Sequence, residues 1–252
     1  MESVRQEETS DFIRFEGVEK SFGEHRVLNG ITLGIRKGET LVILGGSGAG
    51  KSLLIRHIIG LVRPDRGRVV VDGEEISSLP ESRLKPVRRK VGMVFQEGAL
   101  FDSMTVLDNV AFGLRVQTKL PDAEIRKRAR EKLRLVELEG VDDLMPSILS
   151  GGMKKRVALA RAIAVEPEAI VYDEPTAGLD PITANTINQL IRDLQKRLGV
   201  TSVVVTHNIL SAYRVGDRIA FLCDGKLCFV GTMTEARLSN EPRLRRFLEE
   251  GV

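Results

Sequence analysis

The sequence predicts an α/β fold with a parallel β-sheet, an antiparallel β subdomain and an inserted α-helical subdomain. Three continuous apolar runs, TLVILGG, AIVYDEP and TSVVVTH, are typical of strands buried on both faces of a parallel sheet. Apolar residues at helical spacing lie between these runs, as in KSLLIRHIIGLV and at Ile187, Leu190, Ile191, Leu194 and Leu198. Strands that alternate with helices in this way indicate a parallel core covered by helices.

Two further sequence patterns indicate antiparallel strands. Alternating apolar residues in DFIRFEGV and GITLGIRKGE predict two half-buried strands near the start of the chain. Near its end, Asp224-Gly225 is a hairpin signal between the apolar segments of FLCDGKLCFVG. The same segment contains the only two cysteines, Cys223 and Cys228. A metal site would need more ligands, so we expect two reduced structural thiols.

The helical subdomain is predicted where the strand patterns stop, between Gln96 and Ser150. Within PDAEIRKRAREKLRLVELEG, one face of a charged amphipathic helix is apolar at Ile125, Ala129, Leu133 and Val136. We expect a single domain over residues 10–248. Its core and antiparallel subdomain would comprise residues 10–96 and 151–248, and its helical subdomain 97–150. Residues 1–9 are expected to be flexible, and EPRLRRFLEEGV is compatible with a helix lying on the core or on a partner.

Composition limits the classes of partner. Hydrophobic residues make up 42% and charged residues 29% of the chain, as in ordinary globular proteins. A net charge of +3 is too small to predict a nucleic-acid partner. No apolar run reaches the roughly 18 residues that span a bilayer, and MESVRQEETSDF lacks the features of a secretory signal. We therefore expect a cytoplasmic protein, with any transmembrane pathway in other polypeptides.

A glycine-rich loop follows the apolar strand TLVIL and precedes a predicted helix, which is the context of a phosphate-binding P-loop. The loop consists of Gly45, Gly46, Ser47, Gly48, Ala49, Gly50, Lys51 and Ser52. Glycines allow successive backbone N–H groups to curl around a phosphate without Cβ clashes. Lys51 would reach the β- and γ-phosphates of ATP, and Ser52 would ligate Mg²⁺. A merely flexible glycine loop would not require this strand–loop–helix context.

Two carboxylates and a histidine are predicted at the same edge of the sheet. The strand AIVY ends in Asp173-Glu174, and TSVVVT ends in His207. Ligands bind at the carboxyl ends of parallel strands. Asp173 is suited to Mg²⁺, and Glu174 to orienting and deprotonating the attacking water. His207 could contact the γ-phosphate or that water, whereas the other two histidines, His25 and His57, have no such context.

A second potential phosphate-binding helix start lies at Ser150-Gly151-Gly152. Ser150 is a good N-cap, and the two glycines expose backbone N–H groups. The longer segment LSGGMKKRVALARA resembles the signature of ABC transporter ATPases. The resemblance covers nearly the whole chain and implies a RecA-like P-loop NTPase core of the ABC ATPase type, which hydrolyses ATP to move membrane-spanning partners.

The resemblance also assigns further residues and a dimer. Phe22 in KSFG is similar to the aromatic residue that stacks on adenine, and Asp180 in TAGLDP to the D-loop aspartate. Gln96 in VFQEG resembles the Q-loop glutamine, which implies roles in catalysis and as a Mg²⁺ ligand; His207 resembles the switch histidine. Two copies would meet head to tail, each ATP lying between the P-loop of one subunit and Ser150-Gly151-Gly152 of the other.

The segments FQEGALFDSMTVLDNVAFGLR and LSGGMKKRVALARAIAVEPEAIVYDEPTAGLDPI are most similar to ATPases of the Mla and Mce family. Two residues differ from the commoner pattern of ABC ATPases. Met153 follows the signature glycines, where Gln or Glu is often found, and Phe22 occupies the aromatic position where Tyr is commoner. The similarity implies phospholipid or other lipid transport through permease subunits. It also implies a periplasmic lipid-binding Mce-domain subunit, a small cytosolic regulatory subunit, and a place on the cytoplasmic face of the inner membrane.

The sequence is also compatible with other functions. The main alternative is an importer ATPase for a small polar solute such as an amino acid. A soluble ATPase of iron–sulfur assembly is another, although its signature helix resembles SGGEKKR rather than LSGGMKKR. A nucleic-acid-associated ABC protein would need tandem ATPase domains or long coiled coils, and this chain has one P-loop and no sustained heptads. A non-hydrolysing regulatory module is disfavoured because Lys51, Asp173, Glu174 and His207 are all present.

Overall fold

The computed structural model of the chain describes residues 11–250, so the expected flexible segment 1–9 lies outside the described residues. The ten strands of the described part are β1 Asp11–Phe22, β2 His25–Arg36, β3 Thr40–Leu44, β4 Arg66–Val71, β5 Glu74–Glu75, β6 Val91–Val94, β7 Ala169–Asp173, β8 Thr201–Thr206, β9 Arg218–Cys223 and β10 Lys226–Gly231. Its nine α-helices are α1 Lys51–Arg56, α2 Leu84–Lys90, α3 Val106–Gln117, α4 Asp122–Leu135, α5 Gly151–Ile163, α6 Pro181–Leu198, α7 Ile209–Val215, α8 Met233–Leu238 and α9 Pro242–Glu250.

The central sheet has six strands in the order β10-β9-β3-β8-β7-β6. Strand β3 lies parallel to β8 and β9, and β7 lies parallel to β8 and β6. The three predicted apolar strands, β3, β7 and β8, are buried along their whole length. Leu44 pairs with Thr206, and Asp173 with Val205, so the carboxyl ends of the three strands meet at one edge.

The second sheet has four antiparallel strands in the order β2-β1-β4-β5. Its apolar face packs on α1 and the central sheet, with Phe15, Ile31 and Leu54 fully buried between them. This sheet is the predicted antiparallel subdomain. The loop before α1 approaches both sheets: a Cβ on Gly50 would lie 3.0 Å from Leu28 Cδ2 of β2, and one on Gly45 would lie 2.4 Å from the Leu222 carbonyl oxygen of β9.

Helices alone fill the stretch between Gln96 and Ser150 within the described residues, as predicted. In α4, the buried residues Ile125, Ala129 and Leu133 pack against α3 and α5. Helix α3 begins at Thr105, whose side chain accepts a hydrogen bond from the Asp108 N–H at 3.2 Å. The predicted fold class, an α/β core with an antiparallel β subdomain and a helical insertion, is therefore confirmed.

Some local predictions were wrong. The segment KSLLIRHIIGLV does not form one continuous helix: α1 ends at Arg56, and Gly60 adopts a left-handed conformation with φ 64°. Leu198 was expected on the buried face of α6, but it lies in the last turn and is exposed. The left-handed Gly199 that ends α6 turns the chain away from the core at that point.

The expectation of two reduced thiols is also corrected. Cys223 and Cys228 are joined as a disulfide, with their Cα atoms 6.1 Å apart. Asp224 and Gly225 both have positive φ and form the tight turn that the sequence predicted, which brings β9 and β10 together. Cys223 pairs with Lys226, and Cys228 lies at the register shift between Leu227 and Phe229, so the irregular hairpin brings the two cysteines together.

Helix α9 packs on the core of its own chain, one of the two arrangements that the sequence left open. Leu244 is fully buried, and the Phe247 ring lies 5.2 Å from the Phe221 ring. Arg243 forms an ion pair with Asp224 at the β9–β10 turn, at 2.6 Å. Within residues 11–250, no helix combines the length and the apolar composition needed to cross a bilayer.

Candidate active site

The predicted P-loop lies at the carboxyl edge of the central sheet, beside the ends of β7 and β8. A cavity of about 520 Å³ opens there. It is lined by Gly46, Ser47, Gly48, Lys51, Ser52, Gln96, Glu174, His207 and Phe247. Glu174 and His207, which follow β7 and β8, therefore share one cavity with the P-loop and with Gln96, which follows β6.

The backbone of the loop determines where the Lys51 side chain lies. Gly48 and Gly50 are left-handed, with φ 76° and 98°, which side-chain-bearing residues rarely adopt. A Cβ on Gly45 would lie 2.4 Å from the Leu222 carbonyl oxygen, so a side chain there would displace the loop. The loop folds around Lys51, whose Nζ donates hydrogen bonds to the carbonyl oxygens of Gly45 and Gly46, both at 2.9 Å.

The carboxylates face the P-loop. Ser52 Oγ donates a hydrogen bond to Asp173 Oδ1 at 2.6 Å. Glu174 has a left-handed backbone with φ 47°, and its N–H continues the sheet by donating to Val205 O at 2.9 Å. Glu174 Oε1 lies 2.8 Å from His207 Nδ1 and 3.9 Å from Lys51 Nζ. A strained backbone at this position is typical of a functional site, where the surrounding fold imposes it.

Burial makes Lys51 sensitive to nearby negative charge. The residue is 7% exposed. Its desolvation lowers the pKa of the ammonium, and the carboxylates of Glu174 and Asp173 oppose that effect. A further anion placed in the cavity would favour the charged lysine in the same way. The electrostatics of this site therefore suit a polyanionic ligand.

The residues present fit a triphosphate together with a divalent cation. A Cβ built on Gly46 or Gly48 meets no atom within 4 Å, so the loop backbone borders open space that a phosphate group can enter. Ser52 and Asp173 present a hydroxyl and a carboxylate oxygen side by side. Oxygen ligands of this kind are those that Mg²⁺ prefers. The donor set therefore suits Mg²⁺ beside bound phosphates.

The second predicted phosphate-binding segment lies apart from Lys51 in this chain. Ser150 is the N-cap of α5 and accepts a hydrogen bond from the Met153 N–H at 3.3 Å. Gly151 borders a separate cavity of about 260 Å³, which it shares with Gln96 and the segment 177–179. A Cβ on Gly152 would lie 2.7 Å from Thr183 Cγ2, so this glycine allows α5 to approach α6 closely.

Two residues that the resemblance assigned have positions outside the main cavity. Asp180 is the N-cap of α6, and its side chain accepts hydrogen bonds from the N–H groups of Ile182 and Thr183, both at 3.0 Å. Phe22 ends β1, is 58% exposed, and lies beneath the Lys20 ammonium at 5.7 Å from its ring centroid. A neighbouring cavity of about 440 Å³, next to the P-loop, is lined instead by residues 25–27, 46–49 and 221–225.

Sequence reasoning missed two cations that hold the Gln96 segment. Lys155 is buried, and its Nζ donates a hydrogen bond to the Gln96 carbonyl oxygen. Arg161 donates to the carbonyl oxygens of Gly98 and Ala99 at 2.7 and 2.6 Å. Burial lowers the pKa of both groups; for Lys155 the nearby carboxylates partly offset this. Because both residues belong to α5, the helix that Ser150 caps is tied directly to Gln96.

Phe247 was missed for a different reason. It belongs to the C-terminal helix α9, which carries no phosphate-binding motif, yet it lines the main cavity. Nothing in the local sequence indicates this position. The contact between the rings of Phe247 and Phe221, at the end of β9, brings α9 to the mouth of the site.

A P-loop on a parallel sheet, facing an acidic residue that could activate water, defines a nucleoside-triphosphate hydrolase of the P-loop class. The family model described as ABC transporter matches residues 28–177, more than half of the chain. The chain therefore belongs to the ABC transporter family and is an ATPase of the ABC type that binds ATP. The resemblance stated from the sequence is confirmed.

Individual relatives agree with this assignment. The chain is 42% identical to the probable ribonucleotide transport ATP-binding protein mkl of Mycobacterium leprae, over 94% of this chain and 68% of that protein. It is 43% identical to the intermembrane phospholipid transport system ATP-binding protein MlaF of Escherichia coli K12, over 90% of this chain and 84% of that protein. The bacterial ABC transporter cassette MJ0796, solved as a dimer, has a TM-score of 0.82 and 38% identity, covering 88% of this chain and 98% of that one.

Proposed function

We propose that the chain hydrolyses Mg²⁺-ATP between two copies of itself and thereby powers phospholipid transport through a partner permease. The observation that carries the hydrolytic part is the position of Glu174. One of its oxygens is hydrogen-bonded to His207, and the same oxygen faces the Lys51 ammonium at 3.9 Å. We infer that this carboxylate, beside the lysine of the P-loop, accepts a proton from the water that attacks the γ-phosphate.

Binding in this proposal is divided among the residues around the cavity. The backbone of residues 45–50 surrounds the phosphates, and Lys51 pairs with the β- and γ-phosphates. Ser52, Asp173 and Gln96 are the candidate ligands of Mg²⁺, which would neutralise charge on the phosphates. When Lys51 turns to the phosphates, it loses its two hydrogen bonds of 2.9 Å to backbone carbonyl oxygens. The stronger, charge-assisted hydrogen bonds to phosphate would offset that loss of free energy.

The proposed dimer is supported by the positions of the two phosphate-binding segments in different cavities. Of the described residues, Gln96 is the one lining residue that the Lys51 cavity shares with the smaller cavity beside Gly151, and we propose that a second chain supplies Ser150, Gly151 and Gly152 to the γ-phosphate. The N-cap serine and exposed glycine N–H groups at the start of α5, a helix of 13 residues, suit an anion. Asp180 and Phe22 are proposed to complete the site at the dimer interface and at the adenine.

Phospholipid as cargo is supported by the relative named for intermembrane phospholipid transport, at 43% identity. We therefore propose a complex of two copies of this chain with integral membrane permease subunits on the cytoplasmic face of the inner membrane. An Mce-domain lipid-binding subunit and a small regulatory subunit would complete it. In each copy, residues 10–248 would act as one ATPase domain, with residues 97–150 as the helical part that faces the permease.

The test is to purify the complex from detergent-solubilised membranes through a tag on this chain, identify the copurifying subunits and extract the bound small molecules. A permease of the Mla or Mce type with bound phospholipid is the expected result. A permease copurifying with a solute-binding protein and a polar solute would overturn the cargo and leave the ATPase intact. A Glu174→Gln complex prepared in parallel serves as the control that links ATP turnover to this site.

A further inference from the structure

Three polar side chains meet in the core beneath the candidate site. Asn188 Nδ2, on α6, donates a hydrogen bond to Ser211 Oγ, on α7, at 3.0 Å. Ser211 Oγ also lies 3.3 Å from Thr176 Oγ1, in the segment after β7. All three residues are buried. We call Thr176, Asn188 and Ser211 the polar junction.

Each element that meets at the polar junction also carries a residue of the candidate site. Thr176 follows Glu174 closely in the chain. Helix α7, which contains Ser211, begins just after His207. Helix α6, which contains Asn188, has Asp180 as its N-cap. The junction therefore links the segments that hold the proposed general base, the histidine bonded to it and the start of α6.

Packing alone does not account for polar groups at this position. The adjacent residues Ile187, Ile191 and Ala212 are fully buried. Among residues 11–250, no partner is found for Asn188 Oδ1, so the asparagine carries an uncompensated desolvation cost. Such polar groups favour one arrangement of the elements around them, because other arrangements leave more of them unpaired. The two hydrogen bonds join α7 to α6 and to the segment after β7, and they favour the observed position of α7.

We infer that the polar junction positions Glu174 and His207 for ATP hydrolysis, and that Asn188 and Ser211 are its positioning residues. This inference rests on the proposed function. The three side chains act through the backbone: a shift of α7 moves His207, and the hydrogen bond from His207 then moves the Glu174 carboxylate. Displacement of a reacting group by about 1 Å can lower turnover about 100-fold.

The experiment compares three variants of the full chain, each purified with its membrane partners. Ser211→Ala leaves the Asn188 amide without its acceptor and is expected to lower both Tm and kcat. The triple variant Thr176→Val, Asn188→Leu, Ser211→Ala replaces all three side chains by apolar groups of similar shape, which can restore stability. Leu190→Ala, in the buried face of α6, is the matched control: it removes apolar packing and leaves the polar junction in place.

For the triple variant we expect a Tm near that of the wild type, an unchanged KM for ATP, and kcat lowered about 10- to 100-fold. Leu190→Ala should lower Tm while keeping kcat at an assay temperature well below its melting range. A triple variant with wild-type kcat would overturn the positioning role and leave the proposed function intact. If Glu174→Gln turned over ATP at the wild-type rate, both the positioning role and the proposed function would be overturned.

Discussion

Glu174 and His207 are joined by a hydrogen bond of 2.8 Å, although they are 33 residues apart in the chain. They follow neighbouring parallel strands, β7 and β8, whose paired residues end at the same edge of the sheet. His207 is largely exposed, whereas the Glu174 side chain is only 11% exposed. The histidine therefore holds the carboxylate from the open side of the cavity, and Lys51 faces it from the P-loop.

Glu174→Gln should retain ATP binding and lose turnover by a factor of about 10² to 10⁴, because the amide cannot accept a proton from water. An ATP-bound dimer should accumulate. ATPase rate and nucleotide affinity of the purified complex measure the two effects separately. Glu166→Gln is the matched control, since Glu166 also has a left-handed backbone, φ 55°, but pairs with Lys132 away from the cavity. Equal turnover in the wild type and Glu174→Gln would exclude Glu174 as the base.

Lys51→Ala should weaken ATP binding about 10- to 100-fold, because a charged hydrogen-bond donor to the phosphates is removed. Equilibrium binding of a fluorescent ATP analogue gives the change in Kd. Lys132→Ala is the control: this lysine is also mostly buried, at 12% side-chain exposure, and pairs with Glu166. Comparable affinities for Lys51→Ala and Lys132→Ala would contradict the role of Lys51.

Gly151→Asp should leave nucleotide binding by the single chain intact and abolish ATP-driven dimerisation, because its carboxylate would face the γ-phosphate held by the partner. Light scattering with ATP measures dimerisation. Gly140→Asp is the control, because a Cβ added at this glycine meets no atom within 4 Å, although its positive φ adds some strain.

Mixed dimers extend the Gly151→Asp experiment. One Gly151→Asp subunit and one Lys51→Ala subunit together form one intact composite site and one doubly altered site. We expect the mixed dimer to form with ATP and to retain turnover at its one intact site, whereas neither variant alone should turn over ATP. A mixed dimer without turnover would show that Gly151 does not act across the interface.

Asp217 makes the stability of the core depend on pH. Burial raises the pKa of this carboxyl. The Arg192 guanidinium at 2.7 Å and the Thr40 N–H at 2.8 Å lower the pKa by more than burial raises it, so the net shift is downward. The resulting stabilisation is present above the unfolded pKa of about 3.9 and is lost as the pH falls through the lower folded value.

Asp217→Asn should therefore lower Tm at pH 7, with a loss of about 1 kcal/mol or less because the side chain is 36% exposed and solvent screens the pair. The difference from the wild type should shrink as the pH approaches about 3. Thermal melts at several pH values provide the measurement. Asp193→Asn, which changes a carboxylate bonded only to Gln189 among the described residues, is the control. A Tm difference that is independent of pH would refute the role of the Asp217 charge.

The sequence predicted the P-loop, the carboxylate pair and the N-cap Ser150 because each depends on local order. Glycines followed by Lys51 and Ser52, or a serine before two glycines, specify a backbone conformation within a few residues. The uninterrupted apolar runs of β3, β7 and β8 likewise predicted strands buried on both faces. The amphipathic period of α4 predicted the buried residues Ile125, Ala129 and Leu133; Val136, predicted on the same face, is buried but follows the last residue of the helix.

Periodicity could not identify the partner of each element. Lys155 binds the Gln96 carbonyl across 59 residues of sequence, and the charged pattern of α5 alone indicates a solvated helix face. The position of Phe247 at the cavity and the disulfide between Cys223 and Cys228 depend in the same way on how α9 and β10 pack. Such contacts arise from the docking of elements that are distant in the chain.

The sequence by itself thus determined the class of fold, the phosphate-binding loop and the identity of the acid and histidine at the sheet edge. Only the tertiary structure decided that Glu174 is bonded to His207, that Ser52 meets Asp173, and that Gly151 borders a different cavity from Lys51. The physical reason is that residue types and their spacing specify local backbone geometry and buried faces. Distances between side chains are instead determined by strand order and register, which depend on the packing of the whole chain.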